Sequence, residues 1–405
     1  MILKDLYYTS KAALRIFKVS TPRLIWKIAY TFGIKSMRNM VRYDRRVKKG
    51  EDFFPCFMMI SLTEVCNLSC SGCWVSRGGK KQLTHEQLDG IIRECKSHGA
   101  NFFGLLGGEP FLYKGLLDII EKHPDCYFQI FTNGTLITDE IAARMRKLGN
   151  VTPVISIEGL EEESDRRRQR DGVFQKTLQG MRNCRKNKLI FGAAASICKG
   201  NYDELVNEKH ILSLAKEGAM YMWYYIYRPV GSEPNPEVCL DESQIRGLRK
   251  FLVDQRDKAP LFIIDTYWDD KGNAICPGAS GMSHHIAPSG AVEFCPVVQM
   301  STRVLNHDSS NLTEVMKEYG MISDMRKFTA EKTRGCILME DPASMREFLD
   351  KEGAEDYTSR GTVREEYENM CSVPGHYMKD DPIPERNVIY RFLKKRYFFG
   401  FRAYG

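Results

Sequence analysis

From Phe57 to about Asp265 the chain alternates short runs rich in β-branched and aromatic residues with longer stretches of helical periodicity, and no other feature limits its fold as tightly. Six extended runs are expected: Phe57 to Thr63, Phe102 to Leu106, Tyr127 to Phe131, Pro153 to Ile157, Leu189 to Ile197 and Met220 to Tyr227. Helices fall between them, so consecutive βα units build an α/β fold around a parallel sheet. Thr84 and Gln87 are spaced as a capping box for the first helix, and Thr138 is placed to cap the third. A chain of 405 residues with 43% hydrophobic content suffices for a barrel-sized core and a smaller second domain.

The loop after the first run reads TEVCNLSCSGCW and places Cys66, Cys70 and Cys73 in a CxxxCxxC spacing. One βα unit later, the second run ends in Gly107-Gly108-Glu109-Pro110. Thiolates are soft ligands suited to iron-sulfur clusters. Three of them can hold three irons of a [4Fe-4S] cube and leave the fourth open for chemistry. The competing reading is a structural zinc loop, which needs four ligands, and no second CxxC or HxxxH pair lies within the next hundred residues. No stretch near Met1 has the basic, apolar and small-residue sequence of a secretion signal, so a cytoplasmic, reducing setting is expected. There, clustered cysteines act as metal ligands rather than disulfides. Cys56, Cys95, Cys126, Cys184, Cys198 and Cys239 lack ligand spacing and read as free thiols, mainly buried.

The cysteine loop and the GGEP turn together resemble the radical SAM superfamily, whose loop has this spacing and whose second strand ends in this motif. The resemblance implies an open, partial (β/α)6 barrel of the TIM type, with its chemistry at the C-terminal ends of the strands. It implies that Cys66, Cys70 and Cys73 hold a [4Fe-4S] cluster whose open iron is chelated by S-adenosylmethionine. Reductive cleavage then gives methionine and a 5'-deoxyadenosyl radical, which abstracts hydrogen from an unactivated C–H bond. The backbone from Gly107 through Gly108 to Pro110, with Glu109, would hold the methionine amino group. Asn133, after the third strand, and Ser156 and Glu158, after the fourth, resemble segments near the nucleoside, with Glu158 where Asp is more usual. Turn formation and helix capping are the structural alternative for Asn133 and Glu158. The run from Asp165 to Phe174 resembles the HDxxR segment of a peptide-modifying subgroup, with Ser164 in place of its His, and Arg168 is the residue expected to pair with the methionine carboxylate. Gly72 stands where many members carry an aromatic residue, and Trp74 follows the third cysteine.

A second set of cysteines follows the barrel. Cys276, Gly290 and Cys295 are spaced C-x13-G-x4-C, which resembles the hairpin opening the auxiliary-cluster domain of SPASM and twitch enzymes. The CxxC-x5-C-x3-C continuation of a two-cluster SPASM domain is absent. A single auxiliary [4Fe-4S] cluster held by Cys276, Cys295, Cys336 and Cys371 is the simplest expectation. Without Cys371 the cluster keeps an open iron, and both Cys336 and Cys371 can also be read as unrelated thiols. His284 and His285, inside the hairpin, are candidates for a ligand or proton-transfer role, or are ordinary strand residues.

The net charge of +7 is concentrated at the ends. Residues 1 to 50 hold thirteen Lys or Arg against Asp5 and Asp44, and the tail from Glu385 to Gly405 interleaves basic residues with aromatic ones. Leu3, Leu6, Tyr7, Leu14 and Phe17 share a helical face over residues 3 to 18. Thr21-Pro22 starts a second helix that groups Leu24, Ile25, Ile28 and Phe32. No run of 18 uncharged apolar residues is present to span a bilayer. The arm is expected to lie on an anionic membrane surface and to deliver substrate to the barrel mouth; the alternative is a helix pair packed on the core with solvated charges.

The expected organisation is a basic helical arm (1–50), a radical SAM core (51–265), a SPASM/twitch-like auxiliary domain (266–345) and a C-terminal extension (346–405). The favoured function is a radical SAM enzyme that forms C–C bonds in, or oxidises, a lipid or isoprenoid-like substrate. It would be cytoplasmic, peripheral on the inner face of the cell membrane, and reduced by a flavodoxin or ferredoxin. A ribosomal-peptide maturase is the alternative, although the residues before the barrel are short and helical for a winged-helix peptide-binding domain. A non-catalytic metal- or nucleic-acid-binding module leaves the motif spacings unexplained, and no nucleic-acid partner is expected. Trp223, Tyr224, Tyr225 and Tyr227 on the sixth strand are either pocket or core.

Overall fold

The computed structural model describes residues 10, 13–50 and 54–396. Its main sheet has nine strands in the order β7-β6-β5-β4-β3-β2-β1-β8-β9. These are β1 (Phe57–Ser61), β2 (Phe102–Leu106), β3 (Tyr127–Thr132), β4 (Val151–Ser156), β5 (Gly192–Ile197), β6 (Tyr221–Ile226), β7 (Phe262–Ile264), β8 (Ser283–Ile286) and β9 (Val292–Glu293). From β1 to β7 each strand lies parallel to the next, with helical crossovers between them. All six expected runs are strands, with ends displaced by a few residues. The seventh, β7, is too short to show a period in the sequence.

Side chains alternate across the sheet. Met58, Ile60, Phe103, Leu105, Phe128 and Ile130 are buried in the main core, while Met59, Phe131, Trp223 and Tyr225 line a central cavity. Tyr224, between the last two, is core, with its hydroxyl donating to Leu205 O (3.0 Å). The helices begin where capping chemistry places them: Gln87 N donates to Thr84 Oγ1, Thr84 N returns to Gln87 Oε1, and Ile141 N donates to Thr138 Oγ1.

The hairpin that carries Cys276 and Cys295 joins this sheet. β8 pairs parallel with β1, matching Phe57 with Ser283 and Met59 with His285, and β9 returns antiparallel. β1 is thereby paired on both edges, which removes an open strand edge from the barrel. A small sheet of β10 (Met300–Ser301) and β11 (Glu355–Asp356) brings the C-terminal extension back to the cysteine loop. There Lys81 Nζ donates to Tyr357 O (2.9 Å), and Ser359 N donates to Glu64 Oε1 (2.9 Å).

The second helix of the arm starts at Thr21-Pro22 as expected and runs through Pro22–Ile28, a wider-wound segment Ala29–Lys35, and Ser36–Lys48. It lies under the N-terminal ends of the strands. Arg15 donates to Pro260 O (2.7 Å), just before β7, and Leu24 packs on Ile190 and Met220, just before β5 and β6. Lys27 donates to Leu148 O (2.6 Å), before β4, and Lys35 to Asp125 O (3.0 Å), before β3. Arg46 reaches His98 O (3.3 Å) and Tyr43 reaches Ser280 O (3.4 Å), before β2 and β8. The arm is therefore a floor for the barrel, which corrects the expectation that it leads substrate to the mouth: the cysteine loop is at the other end of the strands. Leu3, Leu6 and Tyr7 of the expected first helix, and the tail beyond Arg396, lie outside the described residues.

The C-terminal helix Val388–Arg396 is fastened to β7 by a buried charge cluster. Arg249 and Arg256 pair with Glu385 and Asp265, and Lys394 Nζ lies 3.0 Å from Asp265. Lys394, read from the sequence as part of a basic surface, is thus a buried internal ion-pair partner.

Candidate active site

The cysteine loop leaves the C-terminal end of β1, and Cys66, Cys70 and Cys73 all open onto one cavity of about 880 Å³. Within the loop, Cys73 N donates to Cys70 O (3.3 Å) and Leu68 N to Cys66 Sγ (3.4 Å). Neighbours fasten it from several sides. Ser71 N donates to Arg167 O (2.8 Å), Arg77 to Cys70 O (3.0 Å), Asn133 Nδ2 to Asn67 Oδ1 (2.8 Å), and Arg360 of the extension to Trp74 O (3.3 Å).

The GGEP turn lies against the root of this loop. A Cβ on Gly107, whose φ is +140°, would meet Thr63 O at 2.5 Å, and one on Gly108 would meet Val65 O at 2.3 Å. Only glycines allow this approach, across which Gly108 N and Glu109 N donate to the same two carbonyls (2.7 and 2.9 Å). Gly107 and Gly108 line the cavity, whereas Glu109 and Pro110 are buried behind it. The Glu109 carboxylate accepts from Phe111 N (3.1 Å), Thr132 Oγ1 (2.7 Å) and Asn133 N (2.9 Å). Burial raises its pKa despite these three donors, and its role in this geometry is to hold the turn after β3.

Helix Glu161–Arg168 brings two arginines to the wall. Arg168 Nη2 donates to Ser156 O (3.1 Å), while its buried Nε has no hydrogen-bond partner among the described residues. Trp223 Nε1, on the cavity side of β6, is a second buried donor in the same state. An unpaired buried donor costs about 1–3 kcal/mol, which a polar ligand atom would relieve. Arg167 pairs with Glu158 (2.8 Å), donates to Ser196 O (2.7 Å) and lies over the Tyr227 ring. Asn133 and Glu158 line the cavity, but their side chains are engaged in the turn and the ion pair. Gly72 also makes room for Tyr227, whose hydroxyl a Cβ there would meet at 2.5 Å. Tyr227, the residue after β6, thus sets an aromatic ring against the loop next to Cys73.

Cys276, Cys295 and Cys336 open onto the same cavity. Cys371 does not: it is exposed, with Cys239 as its thiol neighbour. Arg228, one residue beyond Tyr227, donates from Nε to Cys336 Sγ (3.2 Å) and from Nη1 to Tyr267 OH (3.2 Å). His376 also lines the cavity and is 1% exposed. Its Nε2 donates to Ile275 O (2.9 Å), and its Nδ1 is buried without a partner among the described residues. Burial holds this ring neutral, with a pKa of about 3. His284 lines the cavity, whereas His285 sits within the sheet between Ser61 Oγ (2.8 Å) and Glu293 (2.7 Å). The six thiols expected to be free are all buried. Arg167, Arg228 and His376 escape sequence reasoning. For Arg228 the signal is a cation at the C-terminal end of a strand; His376 carries none.

Burial raises Cys73 to about 11, Cys276 to about 11 and Cys295 to about 12, and in each set a neighbouring thiol adds to the rise. Thiols so placed ionise together only beside a positive centre, which makes both sets suitable for a metal cluster. Among the described residues no three His, Cys, Asp or Glu side chains close around a single ion. Three thiols spread around a cavity suit a multi-iron cluster, with one sulfur to each iron.

The comparisons agree with this geometry. Residues 60–204 match the family model described as the radical SAM superfamily. The chain carries a radical SAM domain. Enzymes of this superfamily use a [4Fe-4S] cluster and S-adenosylmethionine. The chain is 30% identical over 159 residues to the sporulation killing factor maturation protein SkfB of Bacillus subtilis, covering 38% of this chain and 39% of that protein. It is 32% identical over 180 residues to the AdoMet-dependent heme synthase of Methanosarcina barkeri, covering 42% and 50%. The matched stretch thus spans half or less of these curated relatives. Among solved structures, Streptococcus suis SuiB bound to S-adenosylmethionine aligns with a TM-score of 0.59 at 16% identity, over 68% of each chain. The anSMEcpe enzyme with bound AdoMet and the Cp18Cys peptide aligns at 0.54 and 15%, over 86% of this chain and 97% of that one. At such identities the likeness is one of fold alone.

Proposed function

We propose that this chain is a radical SAM enzyme that oxidises or crosslinks residues of a peptide, using two iron-sulfur clusters that face one cavity. The observation that carries the reading is that cavity, onto which both thiol sets open. Cys66, Cys70 and Cys73 would hold the first cluster. Gly107, Gly108, Ser156 and Arg168 would receive S-adenosylmethionine, with the unpaired Arg168 Nε suited to its carboxylate. When bound, the cluster and S-adenosylmethionine supply the one-electron chemistry that lets hydrogen leave an unactivated C–H bond. Glu109 acts at one remove, by holding Thr132 and Asn133. Phe131, Trp223 and Tyr225 keep water from the reacting carbon, and Trp223 Nε1 offers a hydrogen bond to the substrate. Cys276, Cys295 and Cys336, within an auxiliary segment at residues 266–345, would hold the second cluster. The buried His376 Nδ1 would take the fourth position, for which the sequence offers Cys371. A flavodoxin- or ferredoxin-like protein would supply electrons.

Peptide chemistry is supported by the relatives: SkfB is a maturation protein, and SuiB and anSMEcpe are known with bound peptides. An alkyl or isoprenoid-like substrate is the second reading, favoured by the apolar walls at Met59, Phe102 and Phe131. One assay tests both. Anaerobically reconstituted protein, S-adenosylmethionine and dithionite are incubated with a peptide fraction and, separately, with a lipid fraction. The peptide fraction should stimulate 5'-deoxyadenosine release and yield products lighter by two hydrogens. Stimulation by lipid alone would move the assignment to the second reading, and no 5'-deoxyadenosine under any condition would remove the enzymatic one.

A further inference from the structure

The floor of the barrel has an outer face that the reaction does not use. Of the thirteen exposed large apolar side chains among the described residues, seven belong to the arm. Leu14 and Phe17 precede its long helical run. Within that run Trp26, Tyr30, Ile34, Met37 and Val41 recur every third or fourth residue, which places them on one side of a helix. Leu24, Thr31 and Tyr43, on the other side, are buried against the barrel. The outer stripe is therefore not a core face left open, because the core face of the same helix is already packed.

Charge accompanies the stripe. Arg23, Lys27, Arg38, Arg45 and Lys48 lie along the same run, and Arg23 and Lys27 join Arg146 and Lys147 around a recess of about 310 Å³ below the barrel. Trp26 is 66% exposed and stacks on Tyr30 at 6.2 Å between ring centroids. Indole and phenol rings favour the headgroup region of a bilayer, and clustered Lys and Arg favour anionic lipid. A second copy of this face would bring two strongly basic surfaces together, which like-charge repulsion opposes.

We infer that the arm docks the protein on an anionic phospholipid bilayer, with the Trp26 to Val41 stripe in the headgroup layer and the basic recess receiving a lipid phosphate. The orientation follows from the fold. The stripe lies under the N-terminal ends of the strands and the cysteine loop at their C-terminal ends, so the cavity faces away from the bilayer. Substrate then reaches the docked enzyme from solution. This surface is independent of the peptide reading and can fail without it.

Vesicle flotation of the full-length, reconstituted protein tests the assignment. Vesicles of phosphatidylcholine mixed with phosphatidylglycerol should carry the protein, those of phosphatidylcholine alone should not, and salt should release it. The triple variant Trp26→Ser, Ile34→Ser, Val41→Ser should lose at least about tenfold in vesicle affinity. Arg23→Gln with Lys147→Gln should lose less, and mainly at low salt. All these side chains lie away from the cavity, so 5'-deoxyadenosine release should be unchanged in both variants. The inference is overturned by absence of binding at low salt, by equal binding to neutral vesicles, or by undiminished binding of the triple variant. It is equally overturned if the wild type is a dimer that the triple variant dissociates, since the stripe would then belong to a second copy.

Discussion

The two thiol sets share a cavity and are built in opposite ways. Cys66, Cys70 and Cys73 come from one loop, and their spacing is set within that loop before any distant contact forms. Cys276 and Cys295 flank one hairpin and Cys336 comes from a segment further along, and they meet only because β8 pairs with β1 and the chain after β9 folds back over the barrel mouth. The difference shows in what supports each set. The loop has little structure of its own, so it is held by outside groups: Arg167 O, Asn133, Arg360 and the glycines of the GGEP turn. The second set is held by the fold itself, and one guanidinium, Arg228, is added at its edge.

The most severe test of this comparison is Cys70→Ser, which should abolish the first cluster. Iron content should fall by about four atoms per chain, and 5'-deoxyadenosine release should fall to background. Cys336→Ser should remove a similar amount of iron from the second site. Release of 5'-deoxyadenosine should survive in this variant while substrate turnover is lost, because the first site does not depend on it. Cys371→Ser should change neither quantity, and a loss of iron there would break the assignment of the second set. His376→Ala should eliminate a nitrogen coupling from the pulsed EPR spectrum of the second cluster, which an open or thiolate-completed cluster would never have shown.

A smaller effect is expected where the loop is supported rather than where it ligates. Glu109→Ala leaves Thr132 Oγ1 and the N–H groups of Asn133 and Phe111 without their acceptor. It should destabilise the protein by roughly 2–4 kcal/mol in denaturant titration, with Glu109→Gln costing less. The smallest effect is at Arg228. Replacing it with Gln removes a positive charge beside Cys336 and should lower the potential of the second cluster while leaving the first unmoved. A tenfold fall in its reduced-to-oxidised ratio at fixed potential corresponds to about 59 mV for a one-electron couple. Equal shifts at both clusters would mean that Arg228 acts on the cavity as a whole rather than on the second set.

Much of the barrel is legible in the sequence because its signals are local. β1 to β6 stand out as short runs of apolar and aromatic residues between helical stretches, and Thr84, Thr138 and Thr21-Pro22 mark helix starts by short-range hydrogen bonding and the fixed φ of proline. β7, with three residues, is too short to carry a period. The arm shows why a correct local reading can still misplace an element. Its amphipathic pattern is real, yet a helix with apolar residues on two sides does not reveal which side packs inward. Arg15, Lys27 and Lys35 read as surface charge and prove to be donors to carbonyls under the barrel. Lys394 likewise reads as part of a basic tail and is buried with Asp265.

The sequence by itself determined the first thiol set, the GGEP turn beside it and the succession of βα units, because each depends on residues a few positions apart. Only the tertiary structure decided that Cys336 joins the second set and Cys371 does not, that His376 and Arg228 stand beside it, and that the arm closes the floor rather than the mouth. Those are relations between segments far apart in the chain. Their distances are set by strand pairing and core packing, and separation along a sequence carries no measure of either.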